Sequence, residues 1–428
     1  MKKKSQSKSN ELRKTKDKLK TQLIKQSVSK SIKHSKDSDI AHASSLGPLL
    51  TLSQKIEASF NLETFPDDAF KALEQLNLEL SFQDFESAIG QWLLDLPELP
   101  NQVNLYNAFG EPSISLFNND KFSVDVYFWR TNDTVIHSHG FRGAFKVLFG
   151  QSLHEEFNVE TTNNLTRQSA LNLISVQAAH PADSDVLSSK IMKSKIEILK
   201  TGDTRTILPG MDLVHRVLHL DNPTVTLCIR TVNDKALSQW HHLSSGISYQ
   251  QRNLEELTIK QILYVQFLFE SNPANAKNYL NEMLGLISVA TQLAVYEGLF
   301  HDEFGLDPET TYFMIDHMRT RFEDLKWFGQ YESHYKKMTQ SLFEVHASTG
   351  SLKLLAHGIN SGYSVEEIKQ LLKSITKEDL SSLCQKLLSE DPIFNEEHYD
   401  LQQETIINFA KGVADPKSKS SRKVVHEH

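Results

Sequence analysis

The stretch from Phe122 to Phe157, FSVDVYFWRTNDTVIHSHGFRGAFKVLFGQSLHEEF, limits the fold of this chain more than any other. Apolar runs alternate with polar turns around His137-Ser138-His139. Residues two apart on a strand point to the same side, so these two imidazoles aim at one point. That is half of a metal site. A third donor from a later strand would complete it, and Leu208 to Arg230, LPGMDLVHRVLHLDNPTVTLCIR, offers His215 shortly after a Pro209-Gly210 turn.

The flanking pattern is a series of short strands. Strand-like segments run over Ser113 to Phe117, Phe122 to Trp129, Ala144 to Phe149, Leu153 to Val159, Ser194 to Leu199, Thr204 to Leu208, Leu213 to Leu220 and Thr224 to Thr231. Asn-Asp, Gly-Asp, Pro-Gly and Asp-Asn-Pro turns divide them, which marks an antiparallel barrel or jelly roll rather than a βαβ fold. No Gly-rich phosphate loop stands between a strand and a helix, so nucleotide chemistry has no support. Three short helices precede the strands, built on Leu50 to Phe60, Phe70 to Leu76 and Phe82 to Leu93. After Ser248 the period becomes helical, opening at Asn253-x-x-Glu256, a capping-box pattern. Further helices are expected over Leu280 to Ala294, Pro308 to Phe328, Glu332 to His346, Ser351 to His357 closed by Gly358, Val365 to Ser374 capped by Ser364, and Lys377 to Leu388.

The fold class is therefore α+β, a β-barrel with a helical lead-in followed by a separate all-α domain. Its boundaries are a basic tail over 1–46, the lead-in packing on the barrel over 47–100, the barrel over 101–247 with an insertion at 158–193, the helical domain over 248–412 and a loose tail over 413–428. The insertion holds a helix-like Thr166 to Val176 and a polar run at His180 to Asp183, and it is long enough to lid the barrel mouth.

Composition narrows the function classes. With 39% hydrophobic and 23% charged residues the chain reads as a soluble globular protein. No apolar run suits a bilayer span or a secretory signal, which points to the cytoplasm. Cys228 and Cys384 lie far apart, so a cysteine-ligated zinc site is excluded. Residues 1 to 40 hold 13 Lys and Arg against 4 Asp and Glu, a net of +9, so a whole-chain charge of −8 leaves −17 for the rest. Such a tail suits an electrostatic arm or a solvated extension; no nucleic-acid module follows it, so nucleic acid is not expected as a partner.

His137, His139, Gly150, Gly202, Pro209, Gly210 and His215 together resemble the two motifs of the cupin superfamily, with slightly altered spacing in the second. Gly143 stands where cupins usually carry a Glu ligand. Loss of that Glu is similar to the cysteine dioxygenase and related thiol dioxygenase branch, as are the strand Phe122 to Trp129, the His215-Arg216-Val217 triplet and the Asn222-Pro223 turn. The resemblance spans residues 65 to 232. It implies a non-heme iron(II) oxygenase in which His137, His139 and His215 bind iron, and dioxygen and a small thiol- or carboxylate-bearing substrate share its open face. Imidazole alone would also hold zinc, nickel, cobalt or copper.

Two departures touch the substrate. Where the branch places a Tyr on the last strand, the polar face here reads Thr226, Cys228 and Arg230, so Arg230 and Cys228 become the candidate catalytic residues. The family's carboxylate-clamping Arg has no counterpart near Pro112 to Ser115. Arg230 could take over that clamp, or it could simply be ion-paired; Arg142 offers the same choice.

Other polar sets compete. His154, Glu155 and Glu156 invite use as extra ligands, against the reading of a strand edge meeting solvent. Glu297, His301, Glu303, Asp316, His317, Glu332 and His334 could build a carboxylate-rich di-iron site, although the repeated Glu-x-x-His signature is missing. Besides the oxygenase, the sequence leaves room for a non-catalytic metal- or ligand-binding cupin that signals through its helical domain, and for a non-oxidative metal enzyme. A homodimer or a protein partner is expected through the helices.

Overall fold

The computed structural model describes residues 46–95, 100–102, 110–130, 134–164, 186–232, 239–250, 254–343, 346–390 and 393–414. The basic segment up to residue 45, the helix expected over Thr166 to Val176, the His180 to Asp183 run, the capping residue Asn253 and the segment from residue 415 lie outside them. The described residues form two compact units, one with 46–55 and 76–95 and one with 56–75 and those from 100 onward. The first contains most of helix α1 (Gly47–Ala58) and all of α3 (Phe82–Asp95); helix α2 (Phe65–Glu74) belongs to the second.

Strands β1 (Ser113–Asn118) and β2 (Phe122–Trp129) begin the second unit's sheet structure. They are followed by β3 (His137–His139), β4 (Gly143–Phe149), β5 (Gln151–Asn164), β6 (Val186–Lys200), β7 (Thr204–Ile207), β8 (Gly210–His219), β9 (Thr224–Thr231), β10 (Trp240–Leu243) and β11 (Ile247–Gln250). One sheet has the order β1-β2-β9-β4-β7. The other, β10-β11-β6-β5-β8-β3, closes into a barrel through the pairing of His137 with His241. Every pairing is antiparallel, as the turn-divided strands imply.

Both faces of β2 and β9 are buried, for different reasons. Phe122, Val124, Val126, Val225, Leu227 and Ile229 are almost fully inaccessible, and α2 covers this side: the Phe65 ring lies 5.9 Å from Phe122. Lys146 of β4 reaches the same helix, its Nζ donating to the Leu73 carbonyl at 2.9 Å. The opposite faces contribute Tyr127, Trp129, Thr226 and Cys228 to the interior. The register is tight at Gly143, where a Cβ would overlap the Ile229 carbonyl oxygen, so the strands fit only because no side chain is there. At the β4–β5 turn Gly150 has φ +85°, a backbone form that glycine adopts without strain.

The 158–193 insertion begins as strand. Phe157 through Thr161 pair with Ser189 through Lys193, so the described part prolongs the β5–β6 ribbon. The expected strands over Leu153 to Val159 and Ser194 to Leu199 are thus short versions of two long ones. Strand β3 is the His137-Ser138-His139 stretch read as extended, while β10 and β11 were not expected. Each has only three or four residues, too few to display a period.

The C-terminal helices are α4 (Glu256–Ser271), α5 (Pro273–Leu286), α6 (Val289–Phe300), α7 (Pro308–Phe322), α8 (Lys326–Gln340), α9 (Gly350–Asn360), α10 (Val365–Leu372), α11 (Leu380–Leu388) and α12 (Tyr399–Ala414). Local chemistry explains several starts. Ser364 and Glu367 form a capping box, Asp307 accepts from Thr310 N at 2.8 Å, and Asp379 accepts from Ser382 N at 3.0 Å. The helix expected across Leu280 to Ala294 is two helices, because Ser288 caps a new one by accepting from Thr291 N. The Pro308 to Phe328 segment likewise breaks before Lys326. Gly358, expected as a stop, lies inside α9; a Cβ there would press on Ile368, so this glycine serves packing.

Two apolar cores organise these helices, and each includes barrel residues. The first joins α4 through α8 to Leu243, Ile247 and Tyr249. The second joins α9 through α12 to Leu153, Leu218 and Leu220. Burial of this kind stabilises by about 25 cal/mol per Å² of apolar surface. No helix among the described residues is long and apolar enough to cross a membrane.

Candidate metal centre

His137 of β3 pairs with His215 of β8 in the antiparallel ladder, which puts both rings on one face; His139 follows two residues on and joins them. The three ring centroids lie 4.7 Å from one another. One nitrogen from each falls within 4.8 Å of the other two, and all three residues are buried. Here the sequence reading and the structure bring the same residues together.

Each ring is oriented separately. His137 Nδ1 lies 2.8 Å from the Val135 carbonyl, which can only accept, so Nδ1 carries the proton and Nε2 presents its lone pair. His215 Nε2 faces His139 Nε2 at 3.2 Å, while His215 Nδ1 lies 2.8 Å from His154 Nε2. His139 Nδ1 is buried and has no hydrogen-bond partner among the described residues. Two ring nitrogens that face each other at 3.2 Å need a proton or a cation between them. Burial drives His137 down to about 4 and holds His139 and His215 well below the ordinary histidine range, and the neighbouring imidazoles push in the same direction. At neutral pH the three rings are therefore uncharged and free to ligate. A divalent first-row metal fits this donor set.

Gly143 offers no carboxylate beside them and, given the Ile229 carbonyl, no room for one. The cavity in front of the rings, about 80 Å³, is also lined by Tyr127, Trp129, Phe141, Phe145, Ile207, Val217, His219, Thr226 and Cys228. Among the described residues its lining contains no lysine or arginine.

Arg230 lies outside that lining. Its Nε donates to the buried Asp125 at 2.9 Å, and its guanidinium stands 5.3 Å from the centre of the Phe141 ring. Ser115 and Ser123 also donate to Asp125, at 2.6 and 2.8 Å, so the ion-paired alternative for Arg230 is the one present. Arg142 Nη1 donates to the Leu62 carbonyl at 3.4 Å. Cys228 does line the cavity, but burial pushes its thiol up to about 12, so it stays protonated.

Thr226, read on the polar face of the last strand, does line the cavity, whereas Tyr127 and His219 were missed. Tyr127 lies opposite Thr226 and places a phenol in the cavity from β2 rather than from the last strand. His219 stacks on Trp129 at 4.3 Å and contacts Ser152 Oγ through Nδ1 at 3.0 Å; its buried Nε2 has no partner among the described residues. The alternation His215, Val217, His219 would have revealed it. Thr226 accepts from Trp129 Nε1 at 2.9 Å.

The segment His154-Glu155-Glu156 does not meet solvent as expected: its first two residues are each 1% exposed. His154 faces inward against His215. Glu155 faces α9 and accepts from Arg216 Nε at 2.6 Å, His357 Nε2 at 3.0 Å and the Tyr363 hydroxyl. His154, Glu156 and Glu197 form a second cluster, but Lys195 Nζ already sits 2.8 Å from Glu197 and 3.3 Å from Glu156. The helical carboxylates do not assemble: these two clusters are the only possible metal-holding groups among the described residues. Glu297 instead accepts from the hydroxyls of Tyr249, Tyr331 and Tyr335, and Glu332 pairs with Arg319.

No protein-family model matches this chain, and no curated protein matches it. Among solved structures, a DMSP lyase from Ruegeria pomeroyi is similar at 14% identity, over 40% of this chain and 73% of its own, with a TM-score of 0.21. A hydroquinone 1,2-dioxygenase from Sphingomonas sp. matches at 10% identity, over 33% of this chain and 86% of its own, with a TM-score of 0.19. A cupin domain of CENP-C from Drosophila melanogaster matches at 15% identity, over 35% and 99%, with a TM-score of 0.15. These likenesses are too distant to bear on chemistry, and the jelly-roll fold is established by the strand pairing itself.

Proposed function

We propose that this chain is an iron(II) oxygenase of thiol dioxygenase type acting on a small substrate. One observation carries the reading: three uncharged imidazoles, with no carboxylate among them, converge at the wall of a largely apolar cavity. His137, His139 and His215 would hold the metal. Bound iron(II) supplies open coordination positions and a redox couple. Because the ligand set adds no negative charge, an anionic donor such as a thiolate would neutralise the site once the metal is bound. Among the described residues the lining has no lysine or arginine to clamp a carboxylate, so the thiol is the favoured handle. His219 offers a ring nitrogen to orient the rest of the substrate, while the Tyr127 hydroxyl donates to Asp125 at 3.4 Å, and Trp129, Phe145 and Val217 keep water out. Arg230 holds Asp125 rather than substrate. Cytoplasmic location agrees with a reduced thiol substrate and two free cysteines.

A volume of about 80 Å³ favours a second reading, a metal-binding sensor without turnover, since pockets for drug-sized ligands span about 300–1,000 Å³. Oxygen uptake by the iron-loaded protein separates the two. The oxygenase is expected to consume oxygen with at least one thiol of a few non-hydrogen atoms and not with the corresponding alcohols. An iron-loaded protein that consumes none with any small thiol would contradict the oxygenase and leave the sensor.

A further inference from the structure

His154 lies 2.8 Å from His215 Nδ1 through its Nε2, and its own Nδ1 lies 3.4 Å from Glu197 Oε1. Glu197 is fixed from its other sides: Arg205 donates to it at 2.9 and 2.7 Å and Lys195 at 2.8 Å. A carboxylate surrounded by these donors can only accept. His154 Nδ1 must therefore carry a proton, which leaves a lone pair on Nε2. That lone pair accepts from His215 Nδ1, and His215 Nε2 is left unprotonated, facing His139.

From this one-way chain we infer that His154, backed by Glu197, is a positioning residue that fixes His215 in the tautomer able to bind metal. The inference rests on the metal centre proposed above and adds its outer support. The partner a ring nitrogen finds on its far side decides which nitrogen is free for a metal, and such partners orient the ring as well. His137 receives the same service from the Val135 carbonyl. His215, on a strand whose neighbouring backbone is committed to the ladder, receives it from a side chain.

The test uses the full chain freed of metal. Co(II) is titrated against a chelating indicator, and paramagnetically shifted ring N–H protons are observed by NMR. Wild type is expected to show protected N–H signals from His137 and His215. His154→Phe keeps a ring but removes the acceptor; it is expected to lose the His215 signal and bind Co(II) about 10- to 100-fold more weakly. His154→Gln, whose side-chain oxygen can accept the same bond, is expected to restore the signal and most of the affinity. Glu197→Leu, at a partly exposed position, is expected to weaken both, and it reads the chain even if His154→Phe does not fold. Wild-type affinity and an unchanged His215 signal in either His154→Phe or Glu197→Leu would overturn the inference and leave the metal centre standing. Failure of wild type to bind Co(II), or binding that survives His215→Ala unchanged, would remove the metal centre and the inference with it.

Discussion

On β5 and β8 consecutive residues face opposite ways. His154 and His215 point into the barrel; Glu155 and Arg216 point outward to α9. All four are buried or mostly so, yet their states differ. The outer pair is saturated: Glu155 accepts from Arg216, His357 and Tyr363, and Arg216 also contacts His357 and Ser361. The inner set has unspent capacity, with two ring nitrogens facing across 3.2 Å and a His139 Nδ1 that has no partner among the described residues. Burial alone therefore does not mark a site. The difference is whether the polar atoms are already satisfied, because a satisfied cluster holds structure while an unsatisfied one awaits a ligand.

The largest expected effect breaks the outer pair. Arg216→Ala leaves Glu155 buried with one donor fewer and is expected to cost about 3 kcal/mol in chemical denaturation. Because it lies outside the cavity, metal stoichiometry should stay at the wild-type value. A loss of metal without a loss of stability would invert the comparison.

Gly143→Glu probes the inner face by adding the carboxylate it lacks. The side chain has no space against Ile229, so a loss of about 3 kcal/mol or failure to fold is expected, rather than tighter metal binding. Metal-binding titration and thermal unfolding of the same preparation decide between them.

Acid separates the faces further. Burial drives His219 and His242 of the metal-free protein down to about 3, whereas the unfolded chain takes up these protons near pH 6.5. Their stability contribution is present above about pH 6.5 and is lost as pH falls toward about 3. The Arg216 guanidinium and His357 hold Glu155 well below the carboxylate range despite its burial, so its contribution is present above an unfolded pKa of about 4.3 and is lost below it. Stability measured against pH should fall in two stages, and Glu155→Gln should flatten only the lower one.

The smallest effect concerns Cys228. With its thiol protonated, Cys228→Ser is expected to leave oxygen uptake within about twofold of wild type and to change stability by about 1 kcal/mol, since a buried thiol packs as a small hydrophobe. Abolished uptake would make the thiol a participant.

Legibility in the sequence followed the same division. Period two on β2, β8 and β9 disclosed the strands, and with His137, His139 and His215 it disclosed the three-histidine cluster, because alternation fixes a face before any fold is known. Arg230 showed its face but not its partner: Asp125 is 105 residues away in sequence, and only the β2–β9 register places it alongside. His154 looked like a strand end meeting solvent because the helices that cover its outer neighbour, Glu155, start almost two hundred residues later. Tyr127 was hidden by the expectation that a phenol must come from the last strand. Strands β3, β10 and β11 are too short to carry a pattern of their own.

The most direct test is metal stoichiometry of the anaerobically purified chain, wild type beside His137→Ala, His139→Ala and His215→Ala, each checked for folding. The account expects close to one iron per wild-type chain and its loss in all three variants. A wild-type protein that remains metal-free after reconstitution with iron(II), or variants that retain the full complement, would contradict it.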